Sequence, residues 1–358
     1  MISRRTLVIF VAAAVGVASL TLMSCSSIGY YSQAASGHLK LMNAREPIDE
    51  LLETDSTDPE LRKKLQTLVD ARVFAIEILR LPANDSYTTY AATGRDYVTW
   101  NVVAAEEFSL QPKTWCFPVA GCVSYKGYFK EQAAKDYAAV LAAEQYDVTV
   151  GGASAYSTLG WFDDPVLDTM LRGGDIRYVG TLFHEMAHQV LYVKDDSNFN
   201  EAFASFVEQQ GMRIWLQLRD ENERISKYEA FLKRSDEFNK LLQVTQTELR
   251  ALYSQELEAG QKREQKKAVF DDMQEGYVNL KESWGGYSGY DRWFSREINN
   301  ARLLSVATYR KWVPAFEAIY NEKGRSMEDF YTAATKISEL PKEERQVALS
   351  AYLPAGGS

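Results

Sequence analysis

Histidine and cysteine are both scarce in this chain, with three of each in 358 residues. So few cysteines exclude a small disulfide-stapled scaffold and cannot by themselves complete a metal site. Positive charge is in deficit, since 40 Lys and Arg face 49 Asp and Glu for a net charge of −9. That balance disfavours nucleic acid as a partner, and it disfavours electrostatic docking on anionic lipid. There is no internal repeat and no low-complexity linker. The apolar run from Leu7 to Leu22 is short against the roughly 20 residues of a membrane-spanning helix.

That run follows Arg4 and Arg5 and closes on Leu22-Met23-Ser24-Cys25. A leucine three residues ahead of a cysteine, with a small residue directly before it, resembles a bacterial lipobox. Residues 1–24 are then a signal peptide removed before Cys25, and residues 25–358 form a mature domain of 334 residues, lipid-anchored through Cys25. Such a chain faces the periplasm, and Ser26 after the cysteine favours the outer membrane of a Gram-negative cell. Losing Arg4 and Arg5 takes the net charge from −9 to −11, so attachment rests on the lipid alone. The other two cysteines, Cys116 and Cys122, flank a turn-like Phe-Pro-Val-Ala-Gly and are expected to pair in an oxidising compartment.

Two of the three histidines fall in His184-Glu185-Met186-Ala187-His188. On a helix, residues i and i+4 share a face about 6 Å apart along the axis, so two imidazoles there converge on one metal ion while Glu185 reaches a water on it. With so little histidine in the chain, this spacing carries far more weight than in a His-rich sequence. The third histidine, His38, lies so far upstream that a carboxylate is the better third ligand. A reverse turn through Asp195, Asp196, Ser197 and Asn198, with Asn198 as N-cap, leads into Asn200–Glu208, which reads as a second helix packing through Ala202, Phe206 and Val207. Two antiparallel helices would bring Glu201 opposite the histidines. Glu208, two turns further on, is either a supporting partner or a rival ligand. Such donors favour Zn2+ with one open position, where the ion lowers the pKa of a water and Glu185 passes its proton to the leaving amine.

The stretch HEMAHQ followed by NEAFASFVEQQG resembles the HExxH plus NExxA arrangement of the gluzincin zinc peptidases, in particular the alanyl-aminopeptidase group. The resemblance implies a zincin-like metallopeptidase core in which His184, His188 and Glu201 bind zinc, Glu185 is the general base and a tyrosine steadies the oxyanion. Two features depart from that group. The spacer from His188 to Glu201 is 12 residues here and longer there, and no GxMEN segment, which those enzymes use to hold a free amino terminus, lies upstream. Most of the mature chain is similar to a bacterial family of lipoproteins described as predicted aminopeptidases. The matching segments are Tyr30–Leu41, Trp115–Phe129, Ala155–Pro165, the FNEAFASFVE run and Asn299–Phe316.

For the oxyanion donor, Tyr156 just after the strand-like Asp147–Gly152 is one candidate, and Tyr287, Tyr290 and Tyr309 compete from downstream. Along the chain, residues 30–82 read as helices, 97–129 as strands and turns, and 130–145 as helix. The metal helix begins near Asp175. Residues 213–282 are charged and periodic, predicting a long helical hairpin, and its basic cluster of Lys262, Arg263, Lys266 and Lys267 reads as a solvated face. The expected fold is α+β and predominantly helical, and the expected partner is a peptide or protein substrate. Capture of a free amine would need an acidic residue in the cleft, such as Asp163, Asp164 or Glu208. A metalloendopeptidase, and a non-catalytic lipoprotein with a structural zinc, are the competing readings.

Overall fold

A computed structural model describes residues 29–117, 121–158, 162–307 and 311–353. The chain opens with a helix over residues 29–43 (α1), a short strand β1 (Arg45–Pro47) and α2 (Ile48–Glu53). α3 (Pro59–Glu77) starts where Asp58 accepts hydrogen bonds from the Glu60 and Leu61 amides, with Pro59 in the first turn, where a missing N–H costs nothing. Strands β2 (Thr89–Ala91), β3 (Thr99–Glu106), β4 (Trp115–Phe117), β5 (Gly121–Val123) and β6 (Lys126–Tyr128) follow, then α4 (Glu131–Ala143), β7 (Tyr146–Ala153) and β8 (Val166–Leu167). The remainder is helical: α5 (Asp175–Ala187), α6 (Ser197–Leu218), α7 (Asn222–Tyr253), α8 (Ala259–Ser283), α9 (Asp291–Phe294), α10 (Asn300–Ala307), α11 (Val313–Glu322), α12 (Met327–Ser338) and α13 (Lys342–Ser350).

Helices dominate, as the expected α+β class requires, and the strands form small sheets. The sheet that matters here has the order β6-β3-β7 and is antiparallel, with Trp100 opposite Gly152 and Glu106 opposite Tyr146. Alternate residues Trp100, Val102 and Ala104 of β3 pack on Ala134 and Leu141 of α4, and Thr99, Val103 and Ala105 on the other face are buried too, as befits the central strand. The far edge of β7 has no strand partner among the described residues. Beside it, β4 and β5 form a hairpin closed by the Cys116–Cys122 disulfide.

The main core lies among α3, α5, α6, α11 and α12. Phe183, Phe199, Phe203, Phe206, Phe316 and Phe330 are all less than 2% exposed, and burying each such side chain is worth about 1.5–3 kcal/mol. The α7–α8 hairpin carries a second core of Phe238, Leu242, Leu249, Leu252, Phe270 and Met273, completed by Leu303 of α10. α6 runs on to Leu218, so the hairpin begins at Asn222 rather than at residue 213.

The basic cluster on α8 is a correction to the sequence reading. Arg263 donates to both oxygens of Glu107 at 2.6 and 2.8 Å, and Lys266 reaches Asp147 at 2.6 Å with little exposure of either side chain. Lys266 thus fastens the hairpin to β7 instead of facing solvent, while Arg263, though paired with Glu107 just past β3, stays exposed as expected. Lys267, paired with Asp271 one turn along, keeps the exposed character expected of it.

The N-cap of α6 is Asp196, not Asn198: its carboxylate accepts from the Phe199 amide and pairs with Arg345 of α13 at 3.0 Å, both side chains 6% exposed. Removing one partner of such a buried pair strands the other's charge and costs about 3–5 kcal/mol. Asp196→Ala is therefore expected to lower the unfolding free energy by that order in urea titration, and a loss under 1 kcal/mol would refute the assignment. Among the described residues no helix is long and apolar enough to cross a membrane.

Candidate metal centre

α5 buries Val179, Leu182, Phe183 and Met186 in the core, which turns His184, Glu185 and His188 toward the cleft side. His188 closes the helix, its amide donating to the His184 carbonyl, so the i, i+4 relation survives the helix end. The next helix is set by Asn200. Its side-chain amide donates to the Val193 carbonyl and its side-chain oxygen accepts from the Val193 amide, both at 2.7 Å. That clamp folds the intervening loop back on α6 and places the neighbouring Glu201 against α5. Close approach of the two helices also uses Gly180, where a Cβ would lie 3.2 Å from Glu208 Oε1.

The result is a compact donor set. One ligand atom from each of His184, His188 and Glu201 lies within 4.8 Å of the others, the arrangement a metal ion needs. His184 Nε2 is 3.3 Å from Glu201 Oε2 and 3.2 Å from His188 Nε2, and His188 Nε2 is 3.7 Å from Glu201 Oε1. On its other side His184 Nδ1 is 3.1 Å from Glu208 Oε2. A proton on Nδ1 satisfies Glu208 and leaves the Nε2 lone pair pointing at a second imidazole nitrogen and a carboxylate. Donor atoms facing one another in this way repel unless a cation sits among them, so the residues fit a metal. Glu208 thus supports His184 from behind, and it is not in the ligand group.

The surrounding electrostatics are those of a buried anionic site. Burial, with Glu201 and Asp164 adding to it, pushes the Glu185 carboxyl up to about 7. Burial and then the neighbouring His184 lower the His188 imidazole to about 4, which keeps it neutral and available as a ligand. For His184, burial is outweighed by Glu201 and Glu208, which raise its pKa. For Glu201, burial is outweighed by the two histidines, which hold its carboxyl low.

These groups line one end of a cleft of about 880 Å³ whose wall includes Thr149–Ala153 of β7. Tyr156 lines it too, its hydroxyl 3.4 Å from His38 Nδ1 and its pKa pushed up to about 12 by burial and then Asp164. His38 meets Tyr156 and Phe162 and does not join the ligand group. Tyr290 is placed elsewhere, stacked on Phe238 at 4.1 Å in the hairpin core, and Tyr287 lies under the Arg234 guanidinium. Tyr309 and Cys25 lie outside the described residues. Asp164 is fully buried, accepting from the Thr158 amide and the Ser157 hydroxyl, while Asp163 is exposed. The sequence reading missed Tyr192, which lines the cleft close enough to Glu201 for that carboxylate, after burial, to raise its pKa. Its position four residues after His188 was the available signal.

Glu208→Ala is expected to weaken metal binding by about 10–100-fold while leaving the fold intact, as loss of a histidine's supporting partner does elsewhere. Competition with a chromogenic chelator measures this, and unchanged affinity would remove Glu208 from the centre.

Fold and site together define a helical α+β protein with a His-His-Glu group able to hold a metal ion. The chain belongs to the family described as "Putative aminopeptidase", whose match spans residues 29–349. No curated protein and no solved structure matches it.

Proposed function

We propose that this protein is a zinc-dependent aminopeptidase, anchored by lipid at Cys25 and facing the periplasm. The observation that carries the catalytic part is the convergence of His184, His188 and Glu201 with Glu185 beside them, on the wall of a cleft that β3 and the edge strand β7 also line. The family's name supports cleavage from the amino terminus.

His184, His188 and Glu201 would hold the ion, which supplies Lewis acidity toward a water and a peptide carbonyl. Glu185 accepts the water's proton and delivers it to the departing amine. Its burial beside the donor group suits a carboxyl that must both accept and return a proton. The unpaired backbone groups of β7 offer an extended substrate main-chain hydrogen bonds, which fixes its direction past Glu185. Tyr156, which burial keeps protonated, is the donor to the developing oxyanion. Tyr156→Phe should then lower kcat by about 10²–10³-fold with KM nearly unchanged, and a loss below threefold would transfer the role to Tyr192.

The reading is tested by incubating a mixed peptide library with the soluble chain starting after Cys25, with and without chelator, and identifying products by mass spectrometry. Chelator-sensitive trimming from amino termini supports an aminopeptidase. Internal cuts would make it an endopeptidase, and no cleavage by folded, zinc-loaded protein would sink the enzymatic reading. Labelling with a radioactive fatty acid, lost in Cys25→Ala, tests the anchor.

A further inference from the structure

The cleft that holds the metal group is also lined by three arginines, Arg292 of α9, Arg296 just beyond it and Arg302 of α10. A cluster of one sign is unexpected in a chain of net charge −9. On α6, α7 and α8 several cations are neutralised: Arg213 by Glu229, Arg224 by Asp175 and Glu221, Lys281 by Asp291. No salt bridge forms at Arg292, Arg296 or Arg302 among the described residues.

Arg302 is the most telling of the three. It is only 7% exposed, its Nε and Nη2 donate to the Trp293 carbonyl at 3.1 and 2.6 Å, and its guanidinium lies 4.9 Å from the Trp293 ring centroid. A guanidinium does not give up its proton in a protein, so it stays charged in a buried place beside Arg296, and both burial and that neighbour disfavour its charge. An anion arriving there relieves both penalties. The platform is also rigid. Asn299 Nδ2 donates to the Val148 carbonyl of β7 at 3.1 Å, and Arg263 and Lys266 tie the preceding hairpin to the same sheet.

We infer that Arg292, Arg296 and Arg302 form an anion subsite that binds a carboxylate of a short peptide lying along β7, with its scissile bond at His184, His188 and Glu201. The inference rests on the peptidase reading above and gives that reading a substrate class. β7 supplies the ruler. Arg302's helix is anchored at Val148, whereas Tyr156, which lines the cleft together with the metal group, follows the end of β7 at Ala153, and a strand advances about 3.3 Å per residue. A peptide in extended conformation therefore needs on the order of five residues to touch both ends. The cleft's volume, about 880 Å³, is that of a small-ligand pocket and suits a short peptide better than a protein chain. The planar fork of arginine matches a carboxylate, which can be the peptide's own C-terminus or an acidic side chain near it.

The test uses the zinc-loaded chain from Cys25 onward carrying Glu185→Gln, so that bound peptides persist. Binding of three pentapeptides is measured by calorimetry: a free acid, the same sequence with a C-terminal amide, and the amide with glutamate as its last residue. The free acid is expected to bind at least tenfold tighter than the amide, and the ratio is expected to fall to about one in the additional double variant Arg292→Ala, Arg296→Ala. Both arginines are exposed, and a ratio taken within one protein cancels any loss of folded fraction. If the glutamate amide matches the free acid, a side-chain carboxylate also serves, and the subsite stands. Equal binding of acid and amide, or a ratio that survives in the double variant, overturns it. Hydrolysis of library peptides without a ratio sinks the subsite alone, whereas a ratio without hydrolysis by the unmutated protein sinks the peptidase reading and leaves the subsite.

Discussion

Glu185→Gln is expected to reduce kcat for peptide hydrolysis by about 10²–10⁴-fold, with the zinc content of the purified protein unchanged. The substitution keeps size and polarity but removes the acceptor for the water's proton. Glu185 is not in the donor group formed by His184, His188 and Glu201, so the ion should stay. Folding should not suffer either, because Glu185 is raised by burial and by nearby carboxylates, and a neutral amide escapes that repulsion. The variant is therefore expected to be at least as stable as the parent in thermal unfolding. Parallel measurement of zinc by atomic absorption and of kcat decides the matter. Retained activity would mean that another group moves the proton, and loss of zinc along with activity would mean that Glu185 belongs to the ligand set.

The second large effect is at Glu201. Glu201→Ala removes one of three donors and the group that faces both imidazoles, at 3.3 and 3.7 Å. Stoichiometric zinc is expected to be lost on dialysis, and with it the ligand-linked stabilisation, about 2.7 kcal/mol at a free concentration 100 times the dissociation constant. The readout is the shift in unfolding midpoint on adding zinc, present in the parent and absent in the variant. A variant that still binds one zinc with parental affinity would make Glu208 the true third ligand. The contrast with Glu208→Ala, which should only weaken binding, separates a donor from the residue that orients one.

The centre was legible because its determinants are local. Asp175 as the start of the metal helix, the i, i+4 histidines and the strand before them were readable from spacing alone, and the structure has α5 beginning at Asp175. What was illegible depends on partners far away in sequence. Asp196 and Asn198 are both competent caps, and the choice falls to Asp196 because Arg345, 149 residues on, pairs with it. Lys266 of α8 looks solvated with the rest of its cluster until Asp147 of β7 is brought against it. By sequence Tyr290 is a candidate oxyanion donor in a glycine-rich stretch, yet Phe238 from α7 claims its ring face. The three cleft arginines left no mark in the sequence, where Asp291 and Glu297 flank two of them, since their defining property is that no ion pair forms at them among the described residues.

The loop between His188 and Glu201 is held from three directions: Asn200 on Val193, Arg345 on Asp196, and Asp195 Oδ1 accepting the amide of Cys122 at 2.6 Å from the disulfide-closed hairpin. None of these contacts involves an ion. The position of Glu201 against the histidines thus rests on contacts within the protein, unlike the fold of a zinc finger, which waits for zinc. For the metallopeptidase proposed above, assembly and loading then become separate events, and the choice of metal would be governed by supply and donor chemistry at the moment of encounter.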